Sequence, residues 1–107
     1  MSGKDPDARE VDRVDALLTV SDSERVEEFL ERCVEGSVWM AHIRTADVEA
    51  TVTRRHPLAS ISERDCTCVR LRLELPVPIE PGLRFRITHV DDPNLEAAAI
   101  VRPWGSR

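Results

Sequence analysis

Cysteine and histidine are the residues of this chain whose side chains could bind a metal ion, and there are three of each. Thiolates and imidazoles are good zinc ligands, and the Cys66-Thr67-Cys68 spacing would place both sulfurs on one face of a strand. The paired Cys-x₂-Cys spacing of many zinc sites is absent from the sequence. We therefore interpret Cys33, Cys66 and Cys68 as free thiols and expect neither a metal nor another cofactor.

The sequence contains no recognisable catalytic motif. His42, His56 and His89 stand in no familiar Ser/His/Asp arrangement, and a Gly-x-x-x-x-Gly-Lys-Ser/Thr nucleotide-binding loop is absent. The acidic residues are concentrated on a predicted helix, where a run of charges is typical of a solvated surface. We expect a protein that is not an enzyme.

Arginines provide the strongest indication of a binding function. Arg70 and Arg72 share the outer face of one predicted strand, and Arg84 and Arg86 share the outer face of the next. If these strands pair as a hairpin, the four residues form one patch, the arginine stripe, suited to bidentate contacts with carboxylate or phosphate. The alternative is a solvated face that neighbouring glutamates partly neutralise. Like charges directly opposite on adjacent strands are destabilising, so the stripe would favour a partner.

The second candidate contact face is acidic. Glu27, Glu28 and Glu31 lie on the polar side of the predicted helix. The net charge of −5 is uneven, because residues 1–37 carry −6 and residues 38–107 carry +1. An acidic chain is a poor candidate for nonspecific nucleic-acid binding, which depends on neutralising phosphates.

The element that must position the arginines is a strand from Cys66 to Leu75. Its residues alternate between an apolar face, which includes Leu71, Leu73 and Leu75 and is expected to point inward, and a polar face. Pro76 and Pro78 remove backbone donors, so the strand must end there or run along an edge. Glu80-Pro81-Gly82 is typical of a tight turn. A second alternating segment follows, with Leu83, Phe85 and Ile87 on its apolar face.

The other elements follow from the same patterns. An apolar stripe at helical spacing predicts a helix over about 22–35, with Ser21 and Glu24 at capping-box spacing and Gly36 at its end. The stripe contains Val26, Phe29, Leu30, Cys33 and Val34. Further strands are predicted at 14–20, 38–44, 48–54 and 95–102, with a short bend or bulge at 46–47 and a loop at 55–64.

Together these elements predict a mainly β protein. We expect a small closed antiparallel β-barrel of six strands, with one amphipathic helix inserted after the first strand and lying across one end or side, Phe29 and Leu30 buried. Residues 1–10 are polar and are expected to form a flexible acidic tail. Residues 11–105 would form a single domain.

Two segments carry a resemblance to a known family. One contains Pro76, Val77, Ile79, Glu80, Gly82, Leu83, Arg84, Phe85 and Ile87. The other is Arg44-Thr45-Ala46-Asp47-Val48 with Ala50-Thr51-Val52. In order and spacing they resemble the C-terminal β-barrel (third) domain of elongation factor Tu, over roughly 38–101. The resemblance implies that family's barrel fold.

Departures from the family limit what the resemblance implies. We expect a protein without the GTPase domain of the family. The predicted helix replaces a family loop that carries a Gly-Tyr-Arg-Pro-Gln-Phe element. The final strand has Glu96 and alanines where the family has arginine and glycines. The family's contacts with tRNA therefore do not carry over at these positions. The resemblance implies a kept framework with a replaced binding surface.

We therefore expect a non-catalytic binding module or regulator, associated with the translation machinery, that binds a protein partner through the helix surface or the arginine stripe. The alternative is an RNA-binding protein that uses the arginine stripe. No apolar run approaches the ~20 residues of a membrane span, and the first residues lack the apolar region of a signal peptide, so we expect a cytoplasmic protein without membrane contact. The oligomeric state stays open, including a homo-oligomer built through the apolar stripe of the helix.

Overall fold

A computed structural model of the chain describes residues 9–56 and 66–103, with the side chains of residues 56 and 66 excluded. The predicted tail (apart from residues 9 and 10) and most of the predicted 55–64 loop lie outside the described residues. The elements, in chain order, are β1 (Arg9–Val20), a 3₁₀ turn (Ser23–Arg25), α1 (Val26–Arg32), β2 (Val38–Ile43), β3 (Ala46–His56), β4 (Cys66–Ile79), β5 (Arg84–His89) and β6 (Glu96–Val101).

The six strands form a closed barrel in the order β1-β4-β3-β2-β5-β6, and every neighbouring pair is antiparallel. The predicted fold class is confirmed, including one helical segment after the first strand. Closure pairs both edges of the sheet, which would otherwise expose backbone N–H and C=O groups.

The core lies inside the barrel because alternate residues of each strand point inward. Ala16 and Leu18 of β1, Leu71 of β4 and Ile87 of β5 have no exposed side-chain surface. Burying apolar area from all six strands in one cluster stabilises the fold by roughly 25 cal/mol per Å² removed from water.

The course of β4 differs from the predicted one. The strand continues through Pro76 and Pro78 to Ile79, and beyond Leu73 its recorded pairing is with β1 and not with β3. Beyond Leu73 the β3 side of β4 is therefore a local edge, which is one of the two predicted alternatives for the prolines. Leu75, expected to face inward, is 61% exposed. A bulge opposite Asp12, where Val11 faces Val77 and Arg13 faces Arg72, turns Leu75 outward.

The helix is shorter than predicted and begins differently. Asp22, not Ser21, caps its start, because the Asp22 carboxylate accepts a hydrogen bond from the backbone N–H of Glu24 at 2.9 Å. The helix ends at Arg32, and Val34 is 47% exposed instead of completing the apolar stripe. Gly36 adopts φ +91° in the following turn, where its N–H donates to the carbonyl of Val52 at 2.7 Å.

Helix α1 packs on the end of the barrel where β2 begins and β3 and β5 end. Phe29 is fully buried, and its ring centroid lies 4.7 Å from that of Trp39. The imidazole of His89 meets the same indole edge-on at 4.9 Å. Leu30 is only partly buried, so the expectation that both Phe29 and Leu30 are buried holds fully for Phe29 alone.

Arg55 holds the C-terminal end of the helix. Its guanidinium group donates to the carbonyl oxygens of Leu30 and Cys33, the latter at 3.2 Å. A register shift between Val52 and Arg54 places Arg55 opposite inward-facing Val69. These carbonyls are among the last of the helix and lack intrahelical partners, and a cation there also suits the helix dipole.

Two turns meet at the opposite end of the barrel. Arg44 and Thr45 form the turn between β2 and β3, so the predicted bend at 46–47 is two residues too late. Arg44 has φ +56° and donates to the carbonyl of Pro78, at 3.2 Å, and to the carboxylate of Glu80. The predicted turn at Gly82 is confirmed, with φ +85°.

Replacing Phe29 with alanine should lower the free energy of unfolding by about 3–5 kcal/mol, because it leaves a cavity beside Trp39. Urea denaturation measures the change. Val34→Ala is the control and should cost under about 0.5 kcal/mol. Equal losses in both variants would contradict the packing of α1 on the barrel end.

Replacing Arg55 with alanine should lower the free energy of unfolding by about 1–3 kcal/mol, because two helix carbonyls lose a charged donor. The neighbouring Arg54→Ala removes the same side chain from an exposed site and should change stability by less than about 0.5 kcal/mol. Thermal melts of the two variants that coincide would show that Arg55 has no capping role.

Candidate binding surface

The predicted arginine stripe does not form. Strand β4 pairs with β1 and β3, whereas β5 pairs with β2 and β6, so β4 and β5 are not a hairpin. Two strands separate them in either direction around the barrel. Arg70 and Arg72 therefore lie on the opposite side of the barrel from Arg84 and Arg86. The predicted hairpin of β4 and β5, on which the arginine stripe depended, is therefore wrong. That any of these four arginines contacts a partner stays a prediction.

The barrel brings together a different set of arginines. Arg13 of β1 lies directly opposite Arg72 of β4, and Arg54 of β3 lies directly opposite Arg70 of β4. All four side chains are exposed. We call these four residues the arginine cluster. Sequence analysis missed Arg13 and Arg54, because only the pairing of β1 and β3 with β4 reveals them.

The cluster is incompletely neutralised. Asp15 of β1 accepts two hydrogen bonds from Arg70, at 2.9 and 3.4 Å, which raises the pKa of that guanidinium above its ordinary value. Within residues 9–56 and 66–103, no ion pair involves Arg13, Arg54 or Arg72. Like charges placed directly opposite on neighbouring strands repel. The cluster therefore has a local electrostatic cost that a bound anion would relieve.

Carboxylates border one side of the cluster. A cavity of about 380 Å³ lies beside the β1–β4 bulge, and Arg72 shares its lining with Asp12, Glu49 and Glu74. Among the described residues, no group of three or more His, Cys, Asp and Glu side chains is arranged to hold a metal ion. This part of the surface is polar and carries both charges.

The other side of the cluster is apolar. Leu17 of β1 lies directly opposite Cys68 of β4 and Ile100 of β6. These residues, with Gly82 and Arg102, line a cavity of about 430 Å³ that we call the apolar groove. Leu17 is two residues from Asp15 on β1, and Cys68 is two residues from Arg70 on β4, so all four side chains lie on the outer face. The groove therefore adjoins the arginine cluster, in which Asp15 pairs with Arg70.

The predicted acidic face of the helix is only partly free. Glu28 pairs with Arg25 at 2.8 Å and with Arg32 at 3.6 Å. Arg25 also binds Asp92 at 2.6 Å, and this guanidinium holds the pKa of the Asp92 carboxyl below its ordinary value. Glu27 and Glu31 are exposed. Glu28 thus belongs to a network that ties the helix to the β5–β6 loop.

The cysteines differ in their surroundings. Cys33 is fully buried under the helix, and burial raises the pKa of its thiol to about 12, an effect that Arg55 partly offsets. It therefore stays protonated at neutral pH and is a poor nucleophile. Cys68 is a free thiol that is 6% exposed.

A hydrogen-bonded network that sequence analysis missed lies on the outer face of β2, β3 and β5. His42 Nδ1 lies 2.7 Å from Asp47 Oδ1, and His42 Nε2 lies 2.9 Å from Thr88 Oγ1. The near spacing of His42 and Asp47 could have suggested one contact. Thr88 joins them only because β5 pairs with β2.

The sequence matches no protein-family model and no curated protein. No helix in the described part of the chain combines the length and the apolar character needed to cross a bilayer.

Relieving both opposed arginine pairs should stabilise the protein. We expect Arg13→Gln/Arg54→Gln to raise the free energy of unfolding by about 0.5 kcal/mol at low ionic strength, and the gain to shrink in ~1 M salt. Urea denaturation at the two salt concentrations measures it.

The control for this prediction is Arg84→Gln, which removes an arginine that lies opposite Ile100. It should leave stability unchanged within about 0.5 kcal/mol. A double variant that is no more stable than this control at low salt would show that the opposed arginines do not repel measurably.

Proposed function

We propose that this protein is a non-catalytic binding module that captures a protein partner on the outer face of β3, β4 and β1. The partner would present acidic residues to the arginine cluster and an apolar side chain to the adjoining groove. A regulator or adaptor needs no catalytic residue for this function. The arginine cluster is the single observation that carries the proposal.

The arginine cluster supports anion binding because its charges are held together by strand pairing. Arg13 faces Arg72, and Arg54 faces Arg70. Separating these arginines would require breaking the pairing of β4 with β1 and β3, so the repulsion between the opposed guanidinium groups persists in the unbound protein. Strand pairing fixes the spacing of the four backbone positions, and guanidinium groups fit carboxylates with two parallel hydrogen bonds.

Carboxylates are favoured over a nucleic-acid backbone as the bound anion. Asp15 already occupies the centre of the cluster with a two-bond contact to Arg70. Asp12, Glu49 and Glu74 border it and would repel a continuous run of phosphates. The chain as a whole carries a net charge of −5, which opposes a polyanion. A short acidic segment of a protein can place its charges between these carboxylates.

The apolar groove supports a protein partner for a second reason. Its volume of about 430 Å³ is sufficient for one large apolar side chain. Interfaces combine an apolar centre with a polar rim that excludes water and fixes orientation. The groove and the arginine cluster together supply both parts on adjoining strands.

The cellular setting of the proposal comes from the sequence. The resemblance to the third domain of elongation factor Tu supports a role associated with the translation machinery. A cytoplasmic location belongs to the same proposal. Both rest on sequence features, not on the geometry of the surface.

A capture experiment with three baits tests the proposal. Tagged wild type, Arg54→Gln/Arg72→Gln and Arg84→Gln/Arg86→Gln are incubated with lysate of the source cells, with and without nuclease. Both variants lose two positive charges, but only the first loses them from the cluster. We expect to capture a protein whose binding persists after nuclease treatment. It should bind the wild type and Arg84→Gln/Arg86→Gln equally, and bind Arg54→Gln/Arg72→Gln at least about tenfold more weakly.

Other outcomes discriminate between surfaces. Equal capture by all three baits would contradict the arginine cluster. If only a Glu27→Lys/Glu31→Lys bait failed to capture the partner, the contact surface would be the helix and not the arginine cluster. Capture of RNA, with affinity that falls steeply as salt rises, would replace the proposal with the RNA-binding alternative.

A further inference from the structure

The His42 network has the connectivity of an activated hydroxyl group. The Asp47 carboxylate, the His42 imidazole and the Thr88 hydroxyl form a continuous chain with contacts of 2.7 and 2.9 Å. His42 lies on β2, Asp47 on β3 and Thr88 on β5. Strand pairing brings them together, since His42 lies opposite Asp47 on β3 and opposite Arg86 on β5. Both distances lie within the range that proton transfer between a nucleophile and a base requires.

The protonation pattern of this network follows from its partners. An ionised carboxylate can only accept, so His42 Nδ1 must carry the hydrogen that it donates to Asp47. In the neutral imidazole the other nitrogen, Nε2, then has a free lone pair, and the Thr88 hydroxyl donates to it. This tautomer points the base at the proton of Thr88. The same arrangement orients the base in hydrolases that use a Ser-His-Asp triad.

Thr88 is also reachable. It is half-buried on the outer face of β5, and the side chain of His42 is 25% exposed. A hydroxyl group of this kind in the barrel core could not meet a reagent. On the outer face, a small electrophile can approach it without any change in the fold.

We propose that Thr88 is a modification site that accepts an acyl group from activated esters, including acyl thioesters. His42 acts as the general base and Asp47 as a positioning residue. The reaction is stoichiometric, so it is compatible with a non-catalytic binding module. It does not rest on the proposed function, because no residue of the arginine cluster belongs to the His42 network.

The step balances without a further reactant. Thr88 Oγ attacks the carbonyl carbon of the donor while its proton passes to His42 Nε2. The C–S or C–O bond of the donor breaks, and the leaving thiolate or alkoxide takes the bonding electron pair. The acyl group remains on Thr88 as an oxyester, and His42 releases the proton to the leaving group or to water.

Arg86 carries a positive charge on the same outer face as Thr88. It lies directly opposite His42, two residues before Thr88 on the same face of β5. Its side chain is 58% exposed, and its contact with Glu96 is long, at 3.5 Å. The guanidinium group can therefore turn towards an oxyanion that forms at Thr88.

Acylation by p-nitrophenyl acetate, followed by peptide mass spectrometry, tests the proposal. Trypsin cleavage after Arg86 isolates Thr88 in the 87–107 peptide, which contains no lysine, cysteine or tyrosine. Thr53 is an internal control, because its exposed hydroxyl donates to the backbone carbonyl of Arg70 at 3.2 Å and not to a histidine. We expect Thr88 to be acetylated at least about tenfold faster than Thr53.

Variants separate activation from simple exposure. His42→Gln should reduce acetylation of Thr88 to the rate of Thr53. Thr88→Ser should keep the fast, His42-dependent reaction, and Thr88→Val should abolish it with little change in shape. Asp47 is 71% exposed, so Asp47→Asn should fold even if His42→Gln does not, and it should slow acetylation severalfold, whereas Asp47→Glu should restore part of the rate.

Two results would overturn the proposal. One is acetylation of Thr88 no faster than that of Thr53 in the wild type. The other is an unchanged rate at Thr88 in folded His42→Gln or, where that variant does not fold, in Asp47→Asn. Either result would leave the network as a cross-strand structural contact.

Discussion

Strand β1 hydrogen-bonds to β4 along one edge and to β6 along the other, and this double pairing closes the barrel. Since a closed sheet has one cyclic strand order, closure determines which side chains can meet. It separates β4 from β5, although they follow each other in the chain, and it makes β1 the neighbour of β4. The arginine cluster is a direct consequence of this order.

Two register shifts adapt the regular barrel to particular side chains. Because of the shift between Val52 and Arg54, the side chain of Arg54 lies on the outer face and that of Arg55 on the inner face. The two adjacent arginines therefore have different roles. One joins the arginine cluster, and the other caps the helix. The shift opposite Asp12 turns Leu75 outward, and Asp12 itself lines the polar cavity beside Arg72. At the first shift β3 carries one extra residue, and at the second four residues of β4 (73–76) stand opposite Asp12 alone. Each irregularity changes which neighbouring side chains point outward.

The inner and outer faces of the barrel carry different parts of the protein's chemistry. The interior is an apolar cluster closed at one end by Phe29 and Trp39. The outer face holds the arginine cluster, the apolar groove and the His42 network on different strand sets. A rigid core therefore holds exposed groups at fixed spacing, which is what both a binding surface and an activated hydroxyl require.

The sequence by itself determined the fold class, most inward-facing residues, the turn at Gly82 and the helix after the first strand. These depend on alternation, turn chemistry and helical spacing, which act between residues close in the chain. Only the tertiary structure decided that Arg13 faces Arg72, that Arg55 reaches the helix and that Thr88 meets His42. Such contacts depend on strand order and register, and local patterns do not specify either, because any strand with one apolar face can pair with any other.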